Sequence, residues 1–436
     1  MTPPPTAPEP FSASASDDVN LLETLPPETL STLGASHALG ETWVVEPEGA
    51  RARSLAATVA SPAGDAAPSA PPRRSGAEAA GAEASLSRSF GRSMFSDGDA
   101  PAPGETALGS RFDVQQPLGV GTYGEVWRAR DLDLSRAVAL KRFKGDRHLA
   151  LGACRDELRF VGRLEHPGVP PVYQAGLTEE GQPYVVMKLL EGEPLSALIS
   201  RLKEGDLLTH ASFPFSRRVE IILQLLRVVG AAHAARVLHR DIKPDNIYVG
   251  RFGEVSLIDW GIAEDFDVAR EQPRVCGTPL YLSPEQGLGR PLGPESDLYA
   301  VGAVAYELLG LESAAPKGET VLEILHALPT HQPVQLDMLY SPHQGTPSIQ
   351  YLKPVMRAIA RDPKDRFHSA EEMSRALQRS LEGHCDVGCP RSLLKSVALR
   401  FSRWLDERRL ANTLITYAAL IGVVYGLMRL GGALGL

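Results

Sequence analysis

Apolar residues are spread unevenly along this 436-residue chain, and the changes in their pattern mark its parts. Residues 1–110 are dominated by Ala, Pro, Ser, Gly and acidic side chains. With few aromatic or β-branched positions, this stretch cannot bury a core and is expected to be disordered. From Arg111 onward, short alternating apolar runs predict strands. An amphipathic helical stretch carrying Asp156-Glu157-Leu158 ends before His166-Pro167, and residues 184–190 read as a strand running into a linker. Residues 219–229 form an apolar helical run. Further on, residues 393–410 mix Leu394, Val397, Phe401 and Trp404 with Lys395, Arg400, Arg403, Arg408 and Arg409, which suits a helix at a membrane surface or a last helix of the domain. Residues 410–428 carry no charge. As a helix they would span about 28 Å, close to a bilayer core, and they predict a transmembrane segment.

Charge sharpens this division. Residues 1–110 hold a net charge of −8, equal to that of the whole chain, so the remainder is neutral. A neutral body gives no support to nucleic-acid binding, which needs a basic face to offset the phosphate backbone, and such binding is not expected. The four cysteines, Cys154, Cys276, Cys385 and Cys389, are too scattered for a disulfide framework. His384, Cys385 and Cys389 lack a fourth ligand nearby, and surface thiols near a helix start are the simpler reading. Met1 leads into Pro-rich and then acidic sequence, which does not read as a secretory signal.

The chemistry concentrates in a few ordered motifs. Leu118-Gly119-Val120-Gly121-Thr122-Tyr123-Gly124-Glu125-Val126 is Gly-rich and leads into a strand rather than a helix, which argues against a dinucleotide turn. Lys141 follows in Val138-Ala139-Leu140-Lys141, and Glu157 is the acidic residue placed to pair with it. Its neighbour Asp156 points about 100° away around the helix. The octet His239-Arg240-Asp241-Ile242-Lys243-Pro244-Asp245-Asn246 supplies a proton acceptor, a cation and a metal-binding amide within six residues. Asp259-Trp260-Gly261 supplies a further carboxylate, and Cys276-Gly277-Thr278-Pro279 precedes Ser283-Pro284-Glu285.

In this order and spacing, the motifs resemble the eukaryotic-like protein kinase family, with the flavour of its bacterial Ser/Thr members. The likeness covers residues 111–381 and implies an α+β, two-lobed kinase fold with a small β-rich N-lobe and a mainly helical C-lobe. It implies ATP held by Leu118, Gly119, Gly121, Gly124, Val126, Ala139, Lys141, Glu157, Met187 and Leu189, with Mg2+ on Asn246 and Asp259. Asp241 is the expected base, helped by Lys243 and Thr278, and the acceptors are expected to be Ser or Thr hydroxyls of proteins. Glu285 is expected to pair with Arg366, Asp297 to brace the catalytic loop and Trp260 to pack on His239. The alternative is a kinase fold with weak or no catalysis, serving as an interaction module at the membrane.

Residues 382–409 are expected to form a basic juxtamembrane segment and residues 410–430 a single membrane span, with the kinase domain on the cytoplasmic side. Ala418, Gly422 and Gly426 recur every four residues on that span and suggest a homodimer, the alternative being the ordinary abundance of Gly and Ala in membrane helices. Autophosphorylation is expected, with the serines of Ser87-Arg88-Ser89-Phe90-Gly91-Arg92-Ser93 as candidate acceptors; a plain flexible linker is the simpler reading of that stretch. Between Gly261 and Gly277 there is no hydroxyl residue to phosphorylate. Glu264, Asp265, Asp267 or Glu271 is expected to pair permanently with Arg240 instead.

Overall fold

A computed structural model describes residues 39, 42–45, 111–121, 124–271, 275–347 and 349–382. The expected membrane span, the juxtamembrane segment beyond residue 382, the His384/Cys385/Cys389 group and the serines at 87–93 lie outside the described residues. Among the described residues, no helix is long and apolar enough to cross a membrane. No cluster of three or more metal-ligating side chains occurs among them either.

The first ordered strand falls where none was expected. β1 (Trp43–Val45) lies inside the stretch read as disordered. Its three residues are an aromatic and two β-branched side chains, good strand formers in a segment otherwise poor in them. The N-lobe begins with β2 (Phe112–Gly121), β3 (Gly124–Asp131) and β4 (Arg136–Phe143), followed by helix α1 (Arg147–Val161), β5 (Val172–Leu177) and β6 (Pro183–Lys188). These strands make one antiparallel sheet in the order β2-β3-β4-β6-β5. Alternation sorts its side chains into two faces. Phe112, Ala129, Val138, Leu140, Tyr184 and Val186 pack together on one face. Register puts Val126 opposite Lys141 and Ala139 opposite Met187, so these four share the other face.

A short strand β7 (Gly192–Pro194) leads into the C-lobe, with α2 (Leu195–Lys203), α3 (Leu207–Ser212) and α4 (Phe215–Ala234). Strands β8 (Val237–Leu238), β9 (Ile247–Gly250), β10 (Val255–Leu257) and β11 (Glu264–Asp265) follow and bracket the catalytic octet. Then come α5 (Phe266–Glu271), β12 (Val275–Gly277), α6 (Pro284–Gly287), α7 (Pro294–Gly310), α8 (Val321–Ala327), α9 (Ile349–Ala358) and α10 (Ala370–Leu381). Helix α4 buries Val219, Ile222, Leu226 and Val229 in the main core, shared with Leu298, Val301 and Val304 of α7 and Val355 of α9. α7 is apolar nearly all round, as a helix enclosed by neighbours must be. At Gly302 a Cβ would come within 2.7 Å of the Ala358 Cβ, so the residue lets α7 and α9 approach closely.

This frame gives the site its rigidity. The octet hangs between two short pairings, β8 with β11 and β9 with β10, both fixed to a buried helical core.

Candidate active site

Lys141, from the third strand of the sheet, donates from Nζ to Glu157 Oε2 at 2.6 Å and to Asp259 Oδ1 at 3.2 Å. Glu157 is buried on the inner face of α1, whereas Asp156 is exposed. Burial alone would depress the Lys141 ammonium, but Asp259 and Glu157 outweigh it and hold it above its ordinary range. Burial would likewise raise the Asp259 carboxyl, yet the Lys141 charge keeps it below the usual range. Asp259 takes a positive φ of 62°, costly for a non-glycine residue and typical of positions where the surrounding structure dictates the backbone. Its place in the pocket is therefore imposed by the fold.

The octet is stitched in place from three sides. Both backbone N–H groups of His239 and Arg240 donate to Asp297 at 2.9 Å, and the His233 ring lies 2.9 Å from the same carboxylate. Burial opposes the charge on Asp297, but the His233 contact and these N–H bonds hold its carboxyl below the usual range. The His239 Nδ1 accepts from the Asp241 N–H at 3.2 Å, and its Nε2 lies 3.1 Å from the Ile258 carbonyl. A neutral ring protonated on Nε2 satisfies both bonds, in accord with the burial that pushes His239 below its ordinary range. Trp260 packs edge-on against this ring, with centroids 4.5 Å apart.

Asp241 is the hub. Its Oδ1 accepts from the Thr278 hydroxyl at 2.7 Å, and its Oδ2 accepts from the Asn246 amide at 3.0 Å. Lys243 Nζ donates to the Thr278 hydroxyl at 3.0 Å and lies 3.6 Å from the Asp241 carboxylate. Since the Asn246 nitrogen is spent on Asp241, its amide oxygen is the atom left for a cation. That oxygen and the Asp259 carboxylate are the hard donors that magnesium favours, so the residues present fit a divalent ion. The Gly119 position, opposite Val126 in the β2–β3 pairing, has open space where a Cβ would stand, as a backbone that cradles phosphate requires. Of the expected nucleotide-binding residues, Val126, Ala139, Lys141 and Met187 share the sheet face just described. Leu118 and Gly121 lie on the β2 edge, Gly124 opens β3, and Leu189 lies one residue past β6. Behind Met187 a cavity runs between α1 and Trp260, lined by Leu158, Val161, Val172 and Val185 and reaching Glu157 and Asp259.

Arg240 forms its ion pair with Glu264, and its other terminal nitrogen donates to the Cys276 sulfur. Of the four acidic residues considered for that role, Asp265 instead meets Arg159 and Arg163, and Asp267 meets Arg236. Glu285 and Arg366 make a two-pronged buried pair at 2.7 and 2.8 Å, further fixed by the Ser296 hydroxyl on Glu285. Gln286, which no motif singles out, donates to the carbonyls of Arg240 and Cys276 at 2.8 and 2.6 Å and ties the octet to β12. Gly277 takes a φ of 122°, where a Cβ would come within 2.8 Å of the Arg240 carbonyl. Thr42 is the other residue that sequence reasoning missed. Its hydroxyl donates to Asp241 Oδ2 at 2.7 Å.

Comparison with known proteins agrees with this geometry. Residues 112–377 match the family model described as the protein kinase domain. The chain therefore belongs to the protein kinase family. It is 31% identical over 299 residues to the serine/threonine-protein kinase PknD of Chlamydia pneumoniae, an alignment covering 63% of this chain and 31% of that protein. It is 35% identical over 291 residues to the serine/threonine-protein kinase pkn3 of Myxococcus xanthus, covering 62% of this chain and 49% of the relative. A probable serine/threonine-protein kinase of Streptomyces coelicolor is 32% identical over 311 residues, covering 69% of this chain and 44% of the relative. In each case less than half of the relative's own length is spanned.

Proposed function

We propose that the chain is an ATP-dependent protein kinase that transfers the γ-phosphoryl of Mg-ATP to Ser or Thr hydroxyls of proteins, itself included. The observation that carries this reading is the convergence, at the junction of the lobes, of the Lys141–Glu157–Asp259 triad and the Asp241–Lys243–Asn246–Thr278 cluster. When bound, Mg-ATP supplies the activated phosphoryl group and the cation that spreads its charge. Asp241 accepts the hydroxyl proton of the acceptor, and the Thr278 and Asn246 bonds hold that carboxylate in one orientation. Lys243 brings positive charge to the same point, and Lys141, held by Glu157, would meet the phosphates of bound ATP. Nothing in this scheme needs a covalent enzyme intermediate, so its power lies in positioning.

The Ser/Thr class is supported by Lys243 and Thr278 meeting at the base, and by the similarity to serine/threonine-protein kinases. Membrane attachment through residues 410–430, with the kinase on the cytoplasmic side and pairing through Ala418, Gly422 and Gly426, is part of the proposal; it rests on the uncharged run at 410–428, the basic residues before it and the fourfold spacing of the small residues. The test is transfer of labelled γ-phosphate to a generic basic protein by the purified chain and by its Asp241→Asn variant. Transfer lost in the variant supports the reading. A wild-type chain that transfers nothing supports the interaction-module alternative.

A further inference from the structure

We propose that Thr42 is a phosphoacceptor of this chain's own active site, held there as a tethered substrate. Its surroundings define the acceptor class the site takes: a Ser or Thr three positions after an apolar side chain and just ahead of a strand-forming run. The inference rests on the kinase activity proposed above.

Three separate contacts put the segment in this place. The Thr42 hydroxyl donates to Asp241 Oδ2 at 2.7 Å, accepts from Lys243 Nζ at 3.0 Å and lies 3.4 Å from the Thr278 hydroxyl. It thus touches the base, the cation and the positioning hydroxyl at once. Immediately after it, the backbone of β1 pairs antiparallel with β12, with Trp43 opposite Gly277, Val44 opposite Cys276 and Val45 opposite Val275. Adding a strand to an exposed edge is a general way of binding extended peptides, because main-chain bonds fix the register whatever the side chains. On the other side, Leu39 packs with Leu280 and Leu322 on the apolar cluster of Leu282, Val321 and Ile324. The backbone pairing and the apolar patch fix the register in which residue 42 meets the base. A segment that only blocked the groove would need no hydroxyl there.

The chemical step balances with Mg-ATP as the one co-reactant. A bond forms between Thr42 Oγ1 and the γ-phosphorus while the bond from that phosphorus to the oxygen bridging the β-phosphate breaks. The hydroxyl proton passes to Asp241, and the electron pair of the broken bond leaves with ADP. Because donor site and acceptor belong to one chain, the reaction is unimolecular in protein.

The experiment incubates the full chain with Mg-ATP, beside a parallel reaction containing a generic basic protein, and follows phosphate on the peptide holding residue 42 by mass spectrometry. Phosphate is expected on Thr42, absent from the Asp241→Asn variant, at a fractional rate unchanged by tenfold dilution. Thr42→Ser should retain labelling at that position and Thr42→Val should lose it. Leu39→Asp should slow it several-fold. An enzyme that labels the basic protein yet leaves Thr42 bare overturns this inference alone. One that labels neither overturns the proposed function with it. A fractional rate that falls tenfold on dilution overturns the tethered-substrate arrangement.

Discussion

At the scale of single residues, the site balances buried charges against one another. Lys141→Met should reduce phosphotransfer by at least about 10²- to 10³-fold, the usual cost of losing one preorganised electrostatic contact, and Asp259→Ala should do the same. Neither should unfold the lobe. Burial already pushes the Glu157 carboxyl upward and Lys141 is what opposes it, so Glu157 can take up a proton once Lys141 is gone. Activity assays beside thermal melts check this; wild-type rates in either variant would remove the residue from the mechanism. His239 gives a pH dependence with a definite sign. Its folded pKa is depressed by burial, so between the ordinary histidine value of about 6.5 and that lower value the unfolded chain binds more protons. Stability is then fully present above about pH 6.5 and falls as the pH drops, by up to about 1.4 kcal/mol per pH unit from this group. His166 and His331 are depressed for the same reason and add to the slope. Urea midpoints at pH 7.5 and 5.5 should differ less in His239→Gln than in wild type.

At the scale of elements, the catalytic loop is joined to β11 by the buried pair of Arg240 with Glu264. Arg240 holds a positive φ of 69° and is bound through its backbone by Asp297 and through its side chain by Glu264. Arg240 already has a carboxylate partner and residues 261–277 carry no hydroxyl side chain, so the purified kinase should be active after phosphatase treatment. Glu264→Gln should lower the rate of transfer to an exogenous protein without abolishing it. Full activity in that variant would show that the pair does not hold the loop. A second join, Glu285 with Arg366, links α6 to the turn before α10. Arg366→Met should destabilise the domain by about 3–5 kcal/mol, because it leaves Glu285 buried without its partner. Much of this was legible in advance. Lys141, Glu157, Asp241, Asn246 and Asp259 lie in short contiguous motifs, and their roles, like the pairing of Glu285 with Arg366, are what the resemblance of those motifs to the protein kinase family implies. What could not be read were contacts without local pattern. Gln286 meets two carbonyls through the fold alone, and β1 is three residues long, pairing with a strand more than 200 positions away.

At the scale of the whole molecule, the proposed anchor would confine the kinase to a membrane surface, which a fractionation test can check. The basic residues at 391–409 and the uncharged run at 410–428 make different predictions for how the chain would hold to a bilayer. Attachment by basic residues is electrostatic and is screened at high salt, where the Debye length shrinks to about 3 Å at 1 M. A spanning helix depends instead on apolar burial and survives that wash. The full chain should therefore stay in the membrane fraction through 1 M salt and come away only with detergent. A chain ending at residue 409 should be released by salt, and one ending at 382 should need no release while still transferring phosphate. If the full chain washed off with salt, residues 410–428 would not span the bilayer. Pairing through the proposed small-residue face would then lose its basis, because Gly422 and Gly426 could bring two kinase domains together only from within a shared membrane.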